Sequence, residues 1–454
     1  MINSLLDEEI MWRSFIDKIQ HNIVKRDDTY KYYKLFNQSQ YWDYSRLLNY
    51  QLELFNKLWD HSIKNVPYYK ELANKLNLPS ITSWKDIEII PFLTKDIVRN
   101  NFYALKAENL PEERFGKNST SGSSGSNFYF YSDRGARSVN ESLTMRRFNW
   151  MGSSVFDKKF VIWGARWDIR NKSFLSSIKQ RIKNTIVVSG YNLSDKDIIN
   201  IYRQITREKP DIIKSYPSIL YKISEVFNEN NLSYKPKAIV IGGEKLHNFQ
   251  REYIETTFNT KVFDYYSGRD MHAIAQNCDK FEGLHIFMEN VIVEIIDEKG
   301  NPIEDGEGEI AVTSLHNYAM PFIRYRIGDR ARITRNKKCS CGRQLLLLDE
   351  IIGRTFEVIE FPNGNRVGGS FWTLLLRSVP GIKNFQVVQE DYNLIQINYI
   401  PDNLSNEIDF SKIIARIKDY SGNKLYINFE KVDSLSANEA GKIQFIKSII
   451  TNWK

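Results

Sequence analysis

Cysteine is nearly absent: the 454 residues hold three, Cys278, Cys339 and Cys341. So small and odd a number argues against a disulfide framework. Long apolar runs are missing as well. No stretch reaches the roughly 18 residues needed to cross a bilayer, and the opening MINSLLDEEIMWRSFIDK carries acids and no signal-peptide core. The chain therefore reads as cytoplasmic, without a transmembrane segment. The GxxxxGK[ST] pattern of P-loop NTPases does not occur, which disfavours that class. There is no internal repeat. Charge of one sign is in slight excess, with 63 Lys and Arg against 55 Asp and Glu, a net +8. The basic residues are scattered rather than massed, so the balance suits a solvated Lys-rich surface or a nucleotide partner, and no nucleic acid is expected.

What is present divides into two units. Residues 1 to about 100 are dominated by helical patterning, as in YWDYSRLLNYQLELFNKLWDHSIKN, with Pro67 and Pro91 breaking elements. From about 155 to 268, short apolar runs (FVIWG, TIVVSGY, DIIKSYPS, AIVIGGE, KVFDYYSG) alternate with amphipathic segments such as DKDIINIYRQITREK and HNFQREYIETTFN. That alternation predicts crossover units, a largely parallel sheet, and ligands at the carboxyl ends of its strands. VIVEIIDEKGNPIEDGEGEIAVTSL then reads as two antiparallel strands. The expected fold is α/β: a large domain over 1–353 with mixed, mainly parallel sheets and helices, then a small α+β domain over 354–454.

The only low-complexity stretch, STSGSSGS at 119–126, lies inside the large unit. It is either a plain loop or one whose bare backbone N–H groups and hydroxyls wrap phosphate. IGGEKL follows a buried strand, and its two glycines make either a tight turn or a flat seat for a ring. In VFDYYSGRD, Tyr266 is placed to stack on a base and Asp270 to hold Mg²⁺, unless this is a strand-end turn with surface charge. In PFIRYRIGDRARI, Asp329 suits the two hydroxyls of a ribose, against the alternative of a surface ion-pair ladder.

Taken in order, TSGSSGS, GGE, YSGRD, RYRIGD, GRTFE and EAGKI resemble the core motifs of the AMP-forming adenylating enzymes. NVPYYKE, IIPFLTKD, SYPSIL and CSCGR are similar to the phenylacetate–CoA ligase-like branch, which includes capsular-polysaccharide biosynthesis proteins. The resemblance runs from about residue 60 to 446. It implies that Thr120, Ser121, Gly122, Ser123, Ser124, Gly125 and Ser126 cradle the phosphates of ATP. Gly242, Gly243 and Glu244 would line the adenine pocket, and Tyr266 would stack on the ring. Asp270 falls at the Mg²⁺-binding position, Asp329 at the ribose acid, Arg354 in the hinge and Lys442 at the lysine that a mobile small domain brings to the reaction. The implied partners are ATP, a carboxylic acid and an acyl acceptor: CoA, carrier-protein phosphopantetheine or an amine. The acyl pocket would lie among residues near 160–220 and 241–272, where Trp163, Trp167 and Tyr216 suggest an aromatic wall.

The chain departs from the family pattern at Asn127 and Phe128, where many relatives have Pro-Lys, and at Ser267, Asp270 and Glu357. These departures, with the basic stretch SSIKQRIKN, motivate a non-catalytic nucleotide-binding scaffold as an alternative; a nucleotidyl transferase on the same fold is a further one. Finally, Cys278 and His285 form C-x6-H, and Cys339 and Cys341 form C-x-C. Three thiolates and an imidazole make a closed tetrahedral shell for structural Zn²⁺; the alternative is buried thiols without a metal. Members of the branch with a comparable zinc site favour the first reading. His272 is the competing histidine, expected in the acyl pocket or the core.

Overall fold

The structure, a computed structural model, describes residues 12–19, 21, 27–111, 114–120, 128–163, 183–190, 193–354, 359–367, 371–372, 375–376, 379, 381–401, 408–422, 424–433, 435 and 446–448. Five helices come first: α1 (Thr29–Ser39), α2 (Tyr44–Asn65), α3 (Pro67–Leu76), α4 (Trp84–Ile89) and α5 (Lys95–Asn100). The Asp43 carboxylate caps α2 by accepting from the Arg46 N–H at 2.9 Å. The buried face of α2 runs through Leu47, Leu54, Phe55, Leu58 and Trp59, the three-to-four spacing of a core-facing helix. Val66, held extended ahead of Pro67, separates it from α3.

Next, β1 (Gly116–Thr120) and β2 (Phe128–Ser132) form an antiparallel hairpin, followed by α6 (Arg134–Trp150). The parallel region contains β3 (Lys159–Ile162), β4 (Thr185–Val188), α7 (Asp195–Glu208), β5 (Ile212–Ser215), α8 (Pro217–Glu229), β6 (Ala238–Ile241), α9 (Asn248–Phe258) and β7 (Val262–Gly268). Then come β8 (His272–Asn277), β9 (Leu284–Ile286), β10 (Val291–Ile296), β11 (Pro302–Ile303), β12 (Asp305–Ser314), β13 (Tyr325–Thr334) and β14 (Leu347–Arg354).

These strands make one 12-stranded sheet in the order β11-β10-β12-β13-β14-β9-β8-β7-β6-β5-β3-β4. The half from β4 to β7 is parallel, as the alternating pattern requires, and all of β6 is buried. Pairing turns antiparallel at β7–β8 and stays so to β11. The VIVEII and GEGEIAVTS runs are β10 and β12, with the two-residue β11 between them in sequence. Order reverses between β3 and β5: β4 lies on one side of β3, and the next strand in sequence lies on the other. The crevice at that reversal, at the strands' carboxyl ends, is where such sheets receive ligands.

Beyond Arg354 lie β15 (Ile359–Glu360), β16 (Arg366–Val367), β17 (Ile382–Asp391), β18 (Leu394–Pro401), α10 (Ser411–Ser421), β19 (Tyr426–Lys431) and β20 (Ile446–Ser448). The last four strands form a sheet in the order β19-β18-β17-β20. Phe361, Trp372, Phe385, Ile397 and Ile417 belong to a core drawn wholly from this unit. Among the described residues no helix is long and apolar enough to cross a membrane.

Candidate functional site

One corner brings together Tyr266, Asp270 and Asp329, linking β7 to β13. Tyr266, on β7, donates its phenol to Asp329 Oδ2 at 2.8 Å. Asp329 is paired through the backbone with Arg354, the last residue of β14. Three positions spread over 89 residues of sequence thus meet because β13 lies beside β14 and Tyr266 reaches across from β7. The Arg354 side chain lies outside the described residues.

Asp270 sits in the turn between β7 and β8. Burial raises its carboxyl above the ordinary carboxylate range, and Asp329 adds to the rise; the Lys95 ammonium and backbone N–H groups oppose it. Gly268 makes the turn possible, because a Cβ there would lie 2.4 Å from Asp270 Oδ1. Tyr325 completes the corner. Its phenol is buried beside Asp270, and burial, then the Asp270 charge and a hydrogen bond to that carboxylate, drives its pKa upward.

Lys95 reaches this corner through a join that local sequence does not announce. Leu93 donates to the Arg324 carbonyl at 3.0 Å and accepts from the Arg326 N–H at 2.9 Å, pairing in parallel with Tyr325. Thr94 then caps α5, accepting from Ile97 at 3.3 Å. Lys95, in the first turn of α5, is thereby held near Asp270.

The Ser/Gly stretch is anchored at the same place. Ser121 to Ser126 and Asn127 lie outside the described residues, and of Thr120 only the backbone is described. The two residues bounding the loop, Thr120 and Phe128, are register partners in the hairpin. Phe128 is buried and stacks on Tyr325, with ring centroids 6.1 Å apart and planes 13° apart. Phe128, one of the departures from the family pattern, therefore serves as an apolar anchor. Both ends of the loop are fixed beside the corner that holds Asp270 and Asp329.

Gly242 and Gly243 follow β6. A Cβ on Gly242 would stand 2.5 Å from the Tyr265 carbonyl oxygen. Gly243 has φ +82°, and a Cβ there would meet Tyr216 Cε1 at 2.6 Å, so only glycine fits. Glu244 beside them is half-buried. Tyr216 stacks on Trp163 with centroids 3.9 Å apart. Trp163 follows β3 and Tyr216 follows β5, which puts this aromatic pair at the reversal of strand order. Trp167, Glu357 and Lys442 lie outside the described residues.

Comparison with known proteins finds relatives along nearly the whole chain. Residues 359–449 match the model of the CapK C-terminal domain. Protein CapK of Staphylococcus aureus is 23% identical over 461 residues, covering 98% of this chain and 99% of that protein. The phenylacetate–coenzyme A ligase of Thermus thermophilus is 21% identical over 362 residues, covering 74% of this chain and 77% of that one. The chain is thus similar to CapK and to phenylacetate–coenzyme A ligases. The fold agrees: 2-hydroxyisobutyryl-CoA ligase, solved in the postadenylation state in complex with R3-HIB-AMP, superimposes with a TM-score of 0.67. It covers 91% of this chain and 92% of its own, at 16% identity.

The cysteine cluster makes a second constellation. Cys278 follows β8, His285 is on β9, and Cys339 and Cys341 lie in the turn before β14. Their ligand atoms all fall within 4.8 Å of one another. Cys278 and Cys339 sulfurs are 3.5 Å apart, and Cys341 Sγ is 3.3 Å from His285 Nε2. Burial alone would lower the His285 pKa, but contacts with Cys278 and Cys341 raise it. The Cys341 thiol, despite burial, is drawn down to about 6 by His285. These four donors fit a tetrahedral metal shell with no place left for water. His272 is not among them; it opens β8 at φ +58°, its Nε2 buried without a partner among the described residues.

The sequence motifs did not single out Lys95, Tyr325, Arg147 or Lys214. Lys95 lies within IIPFLTKD and Lys214 within IIKSYPS; in both, a lone cation inside an otherwise apolar run was the available signal.

Proposed function

We propose that this chain is an ATP-dependent, AMP-forming ligase that activates a carboxylic acid as its acyl-adenylate, releases pyrophosphate, and passes the acyl group to a thiol or an amine. The observation that carries the reading is the corner in which Tyr266, Asp329, Asp270 and both ends of the Ser/Gly loop come together. Asp329 Oδ2 accepts from Tyr266, which orients the carboxylate that would accept from ribose hydroxyls. Tyr266 would then stand at the edge of an adenine seat lined by Gly242, Gly243 and Glu244. Thr120 to Ser126 would wrap the phosphates.

In the first step, an oxygen of the substrate carboxylate forms a bond to the α-phosphorus of ATP, and the bond from that phosphorus to pyrophosphate breaks. Both reactants are anions, so the site must supply positive charge. Mg²⁺ held by Asp270 would offset phosphate charge. Lys95 is the cation that the Asn127–Phe128 substitution leaves to be found elsewhere, and Lys442 would arrive from the small domain. We place the hinge at Arg354, between 1–353 and 354–454, so that the small domain swings away before acyl transfer. The surface-polysaccharide setting rests on the resemblance of the motifs to capsular-polysaccharide biosynthesis proteins. Zinc in the Cys/His cluster would be structural.

Two tests follow directly. Tyr266→Phe removes a charge-assisted hydrogen bond worth roughly 1.5–3 kcal/mol. It should raise the KM for ATP about tenfold or more in a pyrophosphate-exchange assay while leaving the KM for the acid nearly unchanged. An unaltered KM for ATP would remove Asp329 and Tyr266 from the nucleotide seat. Second, the Asp270 carboxyl is shifted upward, and only its deprotonated form binds Mg²⁺. The Mg²⁺ concentration for half-maximal activity should therefore climb as pH falls, starting at a higher pH than an exposed carboxylate would give. In Asp270→Asn that dependence should vanish along with most activity.

A further inference from the structure

Two cations behind the aromatic pair have no part in the chemistry above. Arg147, in the last turn of α6, is 4% exposed. Its Nη1 donates to Gln276 Oε1 at 3.1 Å, while its Nε is buried with no partner among the described residues. The guanidinium lies over the Tyr265 ring, 4.1 Å from the centroid. Lys214, on β5, approaches the same ring: its Nζ is 5.9 Å from the Tyr265 centroid and 5.1 Å from that of Trp163. Burial, then the Arg147 charge, brings Lys214 down to about 8, so the ammonium is still mostly protonated at neutral pH. Among the described residues no carboxylate acts on either group: the charge felt by Lys214 is Arg147 itself, and that felt by Arg147 is the Tyr265 phenol.

Like charges this close, Arg147 buried and Lys214 half-buried, are costly without an anion, and aromatic faces offset only part of that cost. Among the described residues, Phe148, Met151, Ile212 and Val240 pack on this side of the sheet and add no opposing charge. Access exists at the carboxyl ends of the strands. Trp163, Tyr216 and Tyr265 are half-buried and Gly243 is exposed, at the reversal of strand order. Successive side chains on β7 point to opposite faces, so the strand presents Tyr265 to the two cations and Tyr266 to Asp329. An acid lying across the end of β7 would have one end at the nucleotide corner and the other beside Lys214.

We infer that the acid activated here is a dicarboxylic acid, whose second carboxylate is held by Lys214, with Arg147 fixing the field around it and the Trp163–Tyr216 pair walling the space between. This rests on the ligase reading of the preceding subsection. Lys214 is then a specificity determinant and Arg147 a positioning residue.

The test is ATP–pyrophosphate exchange by the full chain with matched acids, straight-chain and aromatic, that differ only in carrying a terminal carboxylate or a terminal methyl. The expected result is a KM lower for the diacid by about 10–100-fold, the range of a charge-assisted contact. Lys214→Met should shrink that ratio by about 30-fold, raising KM for the diacid and lowering it for the methyl acid, and Lys214→Arg should restore most of it. Should Lys214→Met fail to fold, the wild-type ratio and Lys214→Arg still decide. Exchange that favours the methyl acids, or a ratio unmoved in Lys214→Met, overturns the inference and leaves the ligase reading intact. Absence of exchange with every acid of both kinds removes the ligase reading and this inference with it.

Discussion

Replacing Lys442 with alanine is expected to lower acid-dependent pyrophosphate exchange by about 10²–10³-fold, the typical cost of deleting a preorganised group that faces charge developing in a transition state. The argument is electrostatic. On the ligase reading, negative charge builds on oxygens as the carboxylate closes on the α-phosphorus, and from the large domain only Lys95 and a Mg²⁺ that Asp270 would hold are proposed to meet it. A cation from the other side is needed at that moment and not before. The loss should therefore fall on kcat, with ATP binding little changed. Lys442→Arg keeps the charge but not the reach, and is expected to recover only part of the rate. The second half-reaction, measured with acyl-adenylate supplied, should survive the substitution if, as proposed, Lys442 serves only the first step. If both halves are lost equally, or if exchange persists in Lys442→Ala, the assigned role is wrong.

The second large effect concerns the thiols. The full chain should carry one equivalent of zinc, and Cys339→Ser or Cys341→Ser should lose it. The site joins three places: the end of β8, the middle of β9 and the turn leading into β14. β14 is held on one side by β9, where Leu347 pairs with His285, and on the other by β13, where Arg354 pairs with Asp329. Releasing a bound metal would free that turn and loosen the strand that aligns Asp329, the proposed ribose acid. A loss of about 3 kcal/mol, at roughly 2–4 °C per kcal/mol for domains of 150–250 residues, corresponds to a Tm lower by roughly 6–12 °C. ATP affinity should fall in the same variants. A metal-free wild type with the same Tm before and after chelation would return these residues to the alternative of plain buried thiols.

The parallel half of the sheet was legible because each of its strands is a short apolar run closed by Gly, Ser or Pro. The corner of Tyr266, Asp270 and Asp329 was legible only one motif at a time, since each lies in a stretch of recognisable local composition; that the three lie close together depends on strand order. The roles of Lys95 and Phe128 were not legible. Lys95 depends on Leu93 pairing with Tyr325, a contact between residues 232 apart. Phe128 stands where relatives carry a cation, and only its stack on Tyr325 shows that it anchors the loop. Arg147 and Lys214 escaped for a similar reason: a basic residue reads as surface until its neighbours from α6, β5 and β7 are assembled around it. The aromatic wall was half legible, as Trp163 and Tyr216 lie at strand ends whose adjacency follows from strand order.

The most direct measurement is mass analysis of what the full chain makes from ATP, Mg²⁺ and a panel of mono- and dicarboxylic acids. Acyl-adenylate, with one pyrophosphate released for each ATP consumed, is the predicted outcome. ATP bound without pyrophosphate release would contradict it in favour of a scaffold, and AMP left attached to the final product would contradict it in favour of nucleotidyl transfer.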